Sequence, residues 1–268
     1  MTSSPKTVVV TGAATGIGAA VVDQLHALGH TIYALDVADM SPPDGVTALH
    51  CDLADPASID AAVAALPDRI DALANVAGIA GPEPRDLVIK VNFLGLRHLC
   101  DALWERITPG GSVVSVSSTA GRGWERRREV VEGLVHTADF ASGVQWAADN
   151  EGRWSKDPYT FSKQCVTLWT KLAAARGAEG AVRVNSVSPG SVDTQLTPSF
   201  RAQMGEEYSD WRVAMIGRAS QPAEMAEPVV WFAVGDCSWV NGADLIVDRG
   251  LEAGTQSGWV NHDEAPGR

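Results

Sequence analysis

Short apolar runs alternate with longer stretches of helical period along the chain. Residues 6–11 (KTVVVT), 31–36 (TIYALD), 46–50 (VTALH) and 70–75 (IDALAN) read as strands, as do 112–117 (SVVSVS), 182–187 (VRVNSV) and 244–248 (DLIVD). Between them, 16–28, 86–104, 158–176 and 224–234 carry apolar residues at helical spacing. Asp55-Pro56 opens a further helix, with Asp as cap and Pro at the first helical position. This alternation predicts an α/β fold, a doubly wound parallel sheet covered by helices on both faces. One domain spanning 1–268 is the simplest count.

One segment departs from the alternation. Residues 119–157 read as a helical insert with two helices, 124–135 and 137–149, placed just before the helix that begins at Pro158. The insert carries Trp124, Trp146 and Trp154. These are read as the insert's own core, with a substrate wall as the alternative. The tail from Glu252 is polar and is expected to be loosely held.

Charge and cysteine use narrow the function classes. A net charge of −12 disfavours nucleic acid and an anionic membrane surface as partners. The basic run Arg126-Arg127-Arg128 is flanked by Glu125 and Glu129 and reads as a solvated helix face. Cys51, Cys100, Cys165 and Cys237 are scattered singly, which suits a reduced, cytoplasmic chain. No apolar run has the length of a signal-peptide core or a membrane span. His26, His30, His50, His98, His136 and His262 show no metal-ligand spacing, and no metal is expected.

Candidate chemistry begins at the first strand–helix junction. Residues 11–18 (TGAATGIG) leave a strand and enter a helix. Glycines there let the backbone approach a ligand, and the helix N-terminus offers free N–H groups to a pyrophosphate. The bland alternative is a merely tight turn. Strand before and helix after favour a dinucleotide site. Asp36 ends the second strand, where a carboxylate accepts from both ribose hydroxyls and repels a 2′-phosphate. No Arg or Lys stands at Ala13, Ala14 or Val37, so NAD is expected rather than NADP. Further on, Tyr159 and Lys163 are four residues apart just past Pro158, on one face of a helix. They form either an ordinary surface pair or a tuned acid.

With these motifs the chain resembles the short-chain dehydrogenase/reductase family, over nearly its whole length. Residues 11–18 match the family's TGxxxGxG loop, in which Gly12, Thr15, Gly16, Ile17 and Gly18 would hold the cofactor. Asp52-Leu53 looks like the pair that brackets the adenine. Asn75-Val76-Ala77-Gly78 is similar to the NNAG segment, with Val76 in place of the second Asn. Asn92, Ser118, Tyr159 and Lys163 match the catalytic tetrad. Ser118 is preferred to Ser117 because Gly121 follows it by three. Pro189-Gly190 matches the PG segment, after which Val192 and Thr194 would face the nicotinamide carboxamide. Residues 247–250 read VDRG where VDGG is usual, so Arg249 is a departure. The long interval from Ser118 to Tyr159 resembles bacterial 3α-hydroxysteroid dehydrogenase/carbonyl reductases and coniferyl-alcohol dehydrogenases.

The resemblance implies a Rossmann fold and roles for these residues. Tyr159 would serve as general acid/base, its phenol lowered by the Lys163 ammonium and by an oxidised nicotinamide. Lys163 would hold the nicotinamide ribose, Ser118 would donate to the substrate oxygen, and Asn92 would position a water. The function expected is NAD-dependent interconversion of a secondary alcohol and a ketone on an apolar cyclic substrate, with a steroid as leading case. Aryl-allylic alcohol oxidation of the coniferyl type and a non-catalytic NAD(H) sensor are the alternatives. Residues 197–218 would form a lid. The insert would cover the tyrosine helix, which often forms the subunit interface in this family. A homodimer is therefore expected rather than a tetramer.

Overall fold

The structure, a computed structural model, describes residues 4–81 and 83–266, without the His262 side chain, so the expectation for His262 lies outside the described residues. Seven described strands pair in parallel: β1 (Thr7–Thr11), β2 (Thr31–Asp36), β3 (Val46–His50), β4 (Ile70–Asn75), β5 (Ile107–Val116), β6 (Arg183–Pro189) and β7 (Asp244–Val247). Their order is β3-β2-β1-β4-β5-β6-β7, the doubly wound Rossmann arrangement in a single domain, with its switch point between β1 and β4. Both faces of the sheet are covered, which is why the strands read as nearly continuous apolar runs. Val8 and Val10 pack into the layer holding α1 (Gly16–Ala27) and α11 (Pro222–Val234). Val9, between them, packs into the opposite layer, with α2 (Pro56–Ala65), α4 (Leu96–Leu103) and α8 (Pro158–Glu179).

The helix expected over 86–104 is a helical run with a defect in its middle. The chain passes from α3 (Arg85–Ile89) through a π turn, Lys90–Gly95, into α4. A π turn inserts an extra residue and re-aims the side chains after it. Asn92, fully buried at the turn, accepts from Ile79 N (2.8 Å) and donates to Ile79 O (2.9 Å) and Ser162 Oγ (3.0 Å). Gly95 is pressed against the Leu53 carbonyl, where no Cβ could stand.

The insert holds a 3-10 turn, Trp124–Arg127, then α5 (Arg128–Val135), α6 (Phe140–Asp149) and α7 (Glu151–Trp154). The second helix starts three residues later than expected. Arg97 reaches from α4 and donates to the carbonyls of Val135, at the end of α5, and of Thr137 and Asp139, holding the last two outside any helix. Asp139 then caps α6 with a reciprocal Ser142 bond. Trp124 and Trp154 are buried, and the rings of Trp146 and Trp154 stack on Phe161 of α8 at 6.2 and 6.0 Å. The tryptophans are therefore insert core. The basic run is only partly a solvated face: Arg127 turns inward, 5.4 Å from the Phe161 ring, and donates to Arg153 O.

The tail corrects its expectation. It forms α12 (Leu251–Ser257), whose Leu251 packs with Val260 and Ile216. Glu252 pairs with Arg122. Residues 197–218 form α9 (Thr197–Met204) and α10 (Glu206–Ile216). All four cysteines are buried free thiols. No described helix is long and apolar enough to cross a membrane, and no cluster of three metal-ligating side chains occurs among the described residues.

Candidate active site

A cavity of about 1180 Å³ opens at the carboxyl ends of the strands. Gly12 reaches it past β1, Asp36 at the end of β2, Asp52 past β3, Val76 past β4, Ser118 past β5, Pro189 at the end of β6 and Asp248 past β7. α9, α10 and α12 close the remaining side through Phe200, Met204, Trp211 and Leu251.

At one end the glycine loop forms a cradle. Gly12 has φ +67°, and a Cβ there would lie 2.7 Å from Ala77 Cα. Gly18 backs directly onto the Gly12 carbonyl, which brings α1 against the loop. Thr15 caps no N–H with its side chain, and no carboxylate stands in the first turn of α1. That helix terminus can therefore take an anion. Asp36 accepts from Ala14 N and Ala38 N, each at 2.9 Å, and so ties the loop to the end of β2. Asp36 also lines the cavity. These residues fit a dinucleotide: bare backbone for a pyrophosphate, then a carboxylate for an unphosphorylated ribose.

At the other end stand Ser118, Tyr159 and Lys163. Ser118 Oγ accepts from Ala120 N (3.1 Å) and is hydrogen-bonded to the Tyr159 phenol. Ser117, by contrast, turns away and bonds Lys163 O and Thr167 Oγ1 on α8. Gly121 explains the spacing, because a Cβ there would meet Thr167 Oγ1 at 2.6 Å and Lys163 O at 2.7 Å. Lys163 is buried, its Nζ donates to Val116 O at 2.8 Å, and it lies 5.9 Å from the Tyr159 ring centre. Burial pulls the ammonium down to about 8. Burial also pushes the Tyr159 phenol up to about 12; the Ser118 bond and the Arg212 charge pull it back, while Asp157 raises it. The cationic charge that lowers the phenol here comes from Arg212, on α10.

Of the residues expected at the site, seventeen line the cavity. Asn75 and Asn92 do not. Asn75 is buried and its Nδ2 faces Cys100 Sγ (3.1 Å) and Ser115 Oγ. Asn92 holds Ile79 and Ser162 instead of facing the cavity. Its Oδ1 and Lys163 Nζ nevertheless flank Gly78 together, at 3.4 and 3.3 Å from where a Cβ would be. None of Trp124, Trp146 and Trp154 reaches the cavity; Trp211 does. Phe200, whose ring meets Tyr159 edge-on at 4.8 Å, and Arg212 were not legible in the sequence. Both stand on short helices whose placement no local pattern sets. The Arg249 departure has a conformational content: it sits at φ 56°, left-handed backbone that a glycine adopts without strain.

Comparison with known proteins agrees with this geometry. The family model described as short chain dehydrogenase matches residues 6–127, and one described as enoyl-(acyl carrier protein) reductase matches 134–252. The chain is 33% identical to a coniferyl-alcohol dehydrogenase of Pseudomonas sp. over 92% of its length and 96% of that protein's. It is 28% identical to a 3-alpha-hydroxysteroid dehydrogenase/carbonyl reductase of Comamonas testosteroni, over 92% and 96%. The crystal structure of a 3-alpha-hydroxysteroid dehydrogenase from Pseudomonas sp. B-0831, complexed with NADH, superposes with a TM-score of 0.80 at 29% identity, over 94% of this chain and 98% of that one. The chain belongs to the short-chain dehydrogenase family. It is an oxidoreductase acting on alcohols.

Proposed function

We propose that the protein is an NAD-dependent oxidoreductase interconverting a secondary alcohol and a ketone on an apolar cyclic substrate, with a hydroxysteroid as leading case. One observation carries this reading: Ser118, Tyr159 and Lys163 converge at one end of a cavity whose other end is a glycine cradle and Asp36. Residues 12 and 15–18 would hold the pyrophosphate, Asp36 the adenosine ribose, and Asp52 and Leu53 the adenine. Ala77, Gly78, Pro189, Gly190, Val192 and Thr194 would hold the nicotinamide half. The nicotinamide supplies hydride exchange when bound. Tyr159 Oη gives its proton to the carbonyl oxygen in reduction and takes it from the hydroxyl in oxidation. Ser118 holds the same oxygen by a hydrogen bond that strengthens as negative charge develops there. Lys163 binds the nicotinamide ribose. Asn92 and Asn75 are positioning residues behind this set, Asn92 by clamping Ile79 next to Gly78 and Lys163.

The apolar wall is made by Phe200, Met204, Trp211 and Leu251, which supports an apolar substrate and a lid role for 197–218. The identity to the coniferyl-alcohol enzyme favours an aryl-allylic alcohol as second reading. A non-catalytic sensor has no use for the Ser118–Tyr159 bond. Four buried thiols support a reducing, cytoplasmic setting. The test is a panel of 3-hydroxysteroids, monocyclic secondary alcohols and cinnamyl-type alcohols with NAD, run beside Tyr159→Phe. One class should be turned over, and Tyr159→Phe should lower its rate by about 10²–10⁴-fold with NADH still bound. Undiminished turnover by Tyr159→Phe would overturn the assignment.

A further inference from the structure

Arg212 lines the cavity from α10, beside the reacting end of the site. Its Nη2 meets Thr119 Oγ1 at 3.4 Å, one residue from Ser118, and among the described residues its Nη1 meets only Met204 Sδ, at 3.6 Å. Nε is buried and donates to no described atom. Among the described residues, no carboxylate lies within ion-pair distance of this guanidinium. The neighbouring arginines are different: Arg201 pairs with Asp210, Arg218 with Glu224 and Arg122 with Glu252. A partly buried guanidinium with one long hydrogen bond and a thioether contact is poorly satisfied, and its donors form a planar fork suited to a carboxylate. The two side chains it meets, Met204 and Thr119, carry no charge.

We propose that Arg212 binds a carboxylate on the substrate, a few bonds from the carbinol carbon, so that an apolar secondary alcohol bearing this acid group is favoured over its neutral counterpart. This rests on the alcohol–ketone reading above and adds a specificity-determining residue to it. The position of the fork beside Thr119 sets the distance: the acid group must lie next to the oxygen that Ser118 and Tyr159 hold. The apolar walls then take the rest of the molecule.

Matched pairs test this: 3-hydroxy-3-phenylpropanoate against 1-phenylpropanol, and mandelate against benzyl alcohol and 1-phenylethanol, with NAD. The acids should exceed their neutral partners in kcat/KM by about 10–100-fold, mainly through KM. Arg212→Met should erase that preference, Arg212→Lys should restore part of it, and NADH affinity should report that both variants are folded. Equal or better use of the neutral alcohols by the unaltered protein, with a ratio unmoved by Arg212→Met, overturns the proposal. If none of these alcohols is turned over, the alcohol reading fails for this skeleton, and the arginine is read separately. Calorimetry of phenylacetate binding to the NADH complex should then show an affinity that Arg212→Met abolishes. Binding that is equal in both, or absent in the unaltered protein, overturns it.

Discussion

Lys163 illustrates how burial sets behaviour at the scale of one residue. Its ammonium is held by the Val116 carbonyl, yet desolvation pulls it down to about 8 from an ordinary 10.5. Between these values the unfolded chain binds more protons than the folded one, so this group's contribution to stability rises with pH across that window. Below about 8 both states are charged and the full penalty stands. Urea titrations at pH 7 and 10 should therefore show the unaltered protein gaining on Lys163→Met, by at most about 3 kcal/mol. The comparison stops at 10 because Tyr159, raised to about 12, contributes with the opposite sign above that. A difference that stays flat would mean that the ammonium is not desolvated. Asp36 carries a second prediction. Its oxygens hold Ala14 N and Ala38 N next to the ribose position proposed above, so Asp36→Ala should narrow the preference for NADH over NADPH by about 10-fold or more, read as two dissociation constants. The preference staying as wide as before would remove Asp36 from cofactor choice. Residues of this kind were legible where a backbone constraint ties type to spacing: Gly12 against Ala77, or Gly121 against α8 behind Ser118. Arg212 was not, because its place beside the cavity depends on how α10 lies over the carboxyl ends of the strands.

Among the helices, α8 has the longest unbroken buried stretch. From Phe161 to Thr170 every residue is buried, so this helix has no solvent face along that stretch. The insert supplies the cover, and Phe161 is its anchor, stacked by Trp146 and Trp154 and approached by the Arg127 guanidinium. Phe161→Ala should cost about 3–5 kcal/mol in chemical denaturation. It should also lower activity, since Tyr159 stands half a turn away. A loss below about 1 kcal/mol would show that the insert is not a structural cover. Strands and long helices were readable from period and caps, and Asp55 does cap α2. The π turn at Asn92 and the break at 136–139 were not, because tertiary hydrogen bonds from Asn92 and Arg97 create them.

For the whole molecule, the enclosure of α8 bears on assembly. A helix covered within its own chain from Phe161 to Thr170 offers little of that stretch to a second copy. The edge strand β7 exposes Leu245 and Ile246, and Trp239, in the loop before it, is 99% exposed. We infer a homodimer built on that one face. Sedimentation velocity should give a dimer, and Trp239→Asp should shift it toward monomer. A tetramer would count against the inference. The doubly wound sheet was fully legible as alternation of strand and helix, whereas the ordered tail was not, since its few apolar residues only gain meaning from Ile216 and the Arg122–Glu252 pair.

That tail has a consequence for how the protein is made. Leu251, Glu252 and Thr255 form part of the cavity wall, and they follow the seventh strand. A ribosome releases the cradle, the serine and the tyrosine helix first, in that order, and this wall long afterwards. Six strands can assemble around α8 while one side of the pocket is still open to water. The growing chain thus holds its reactive groups before it holds the enclosure that gives them a substrate, and selectivity is the last property to arrive.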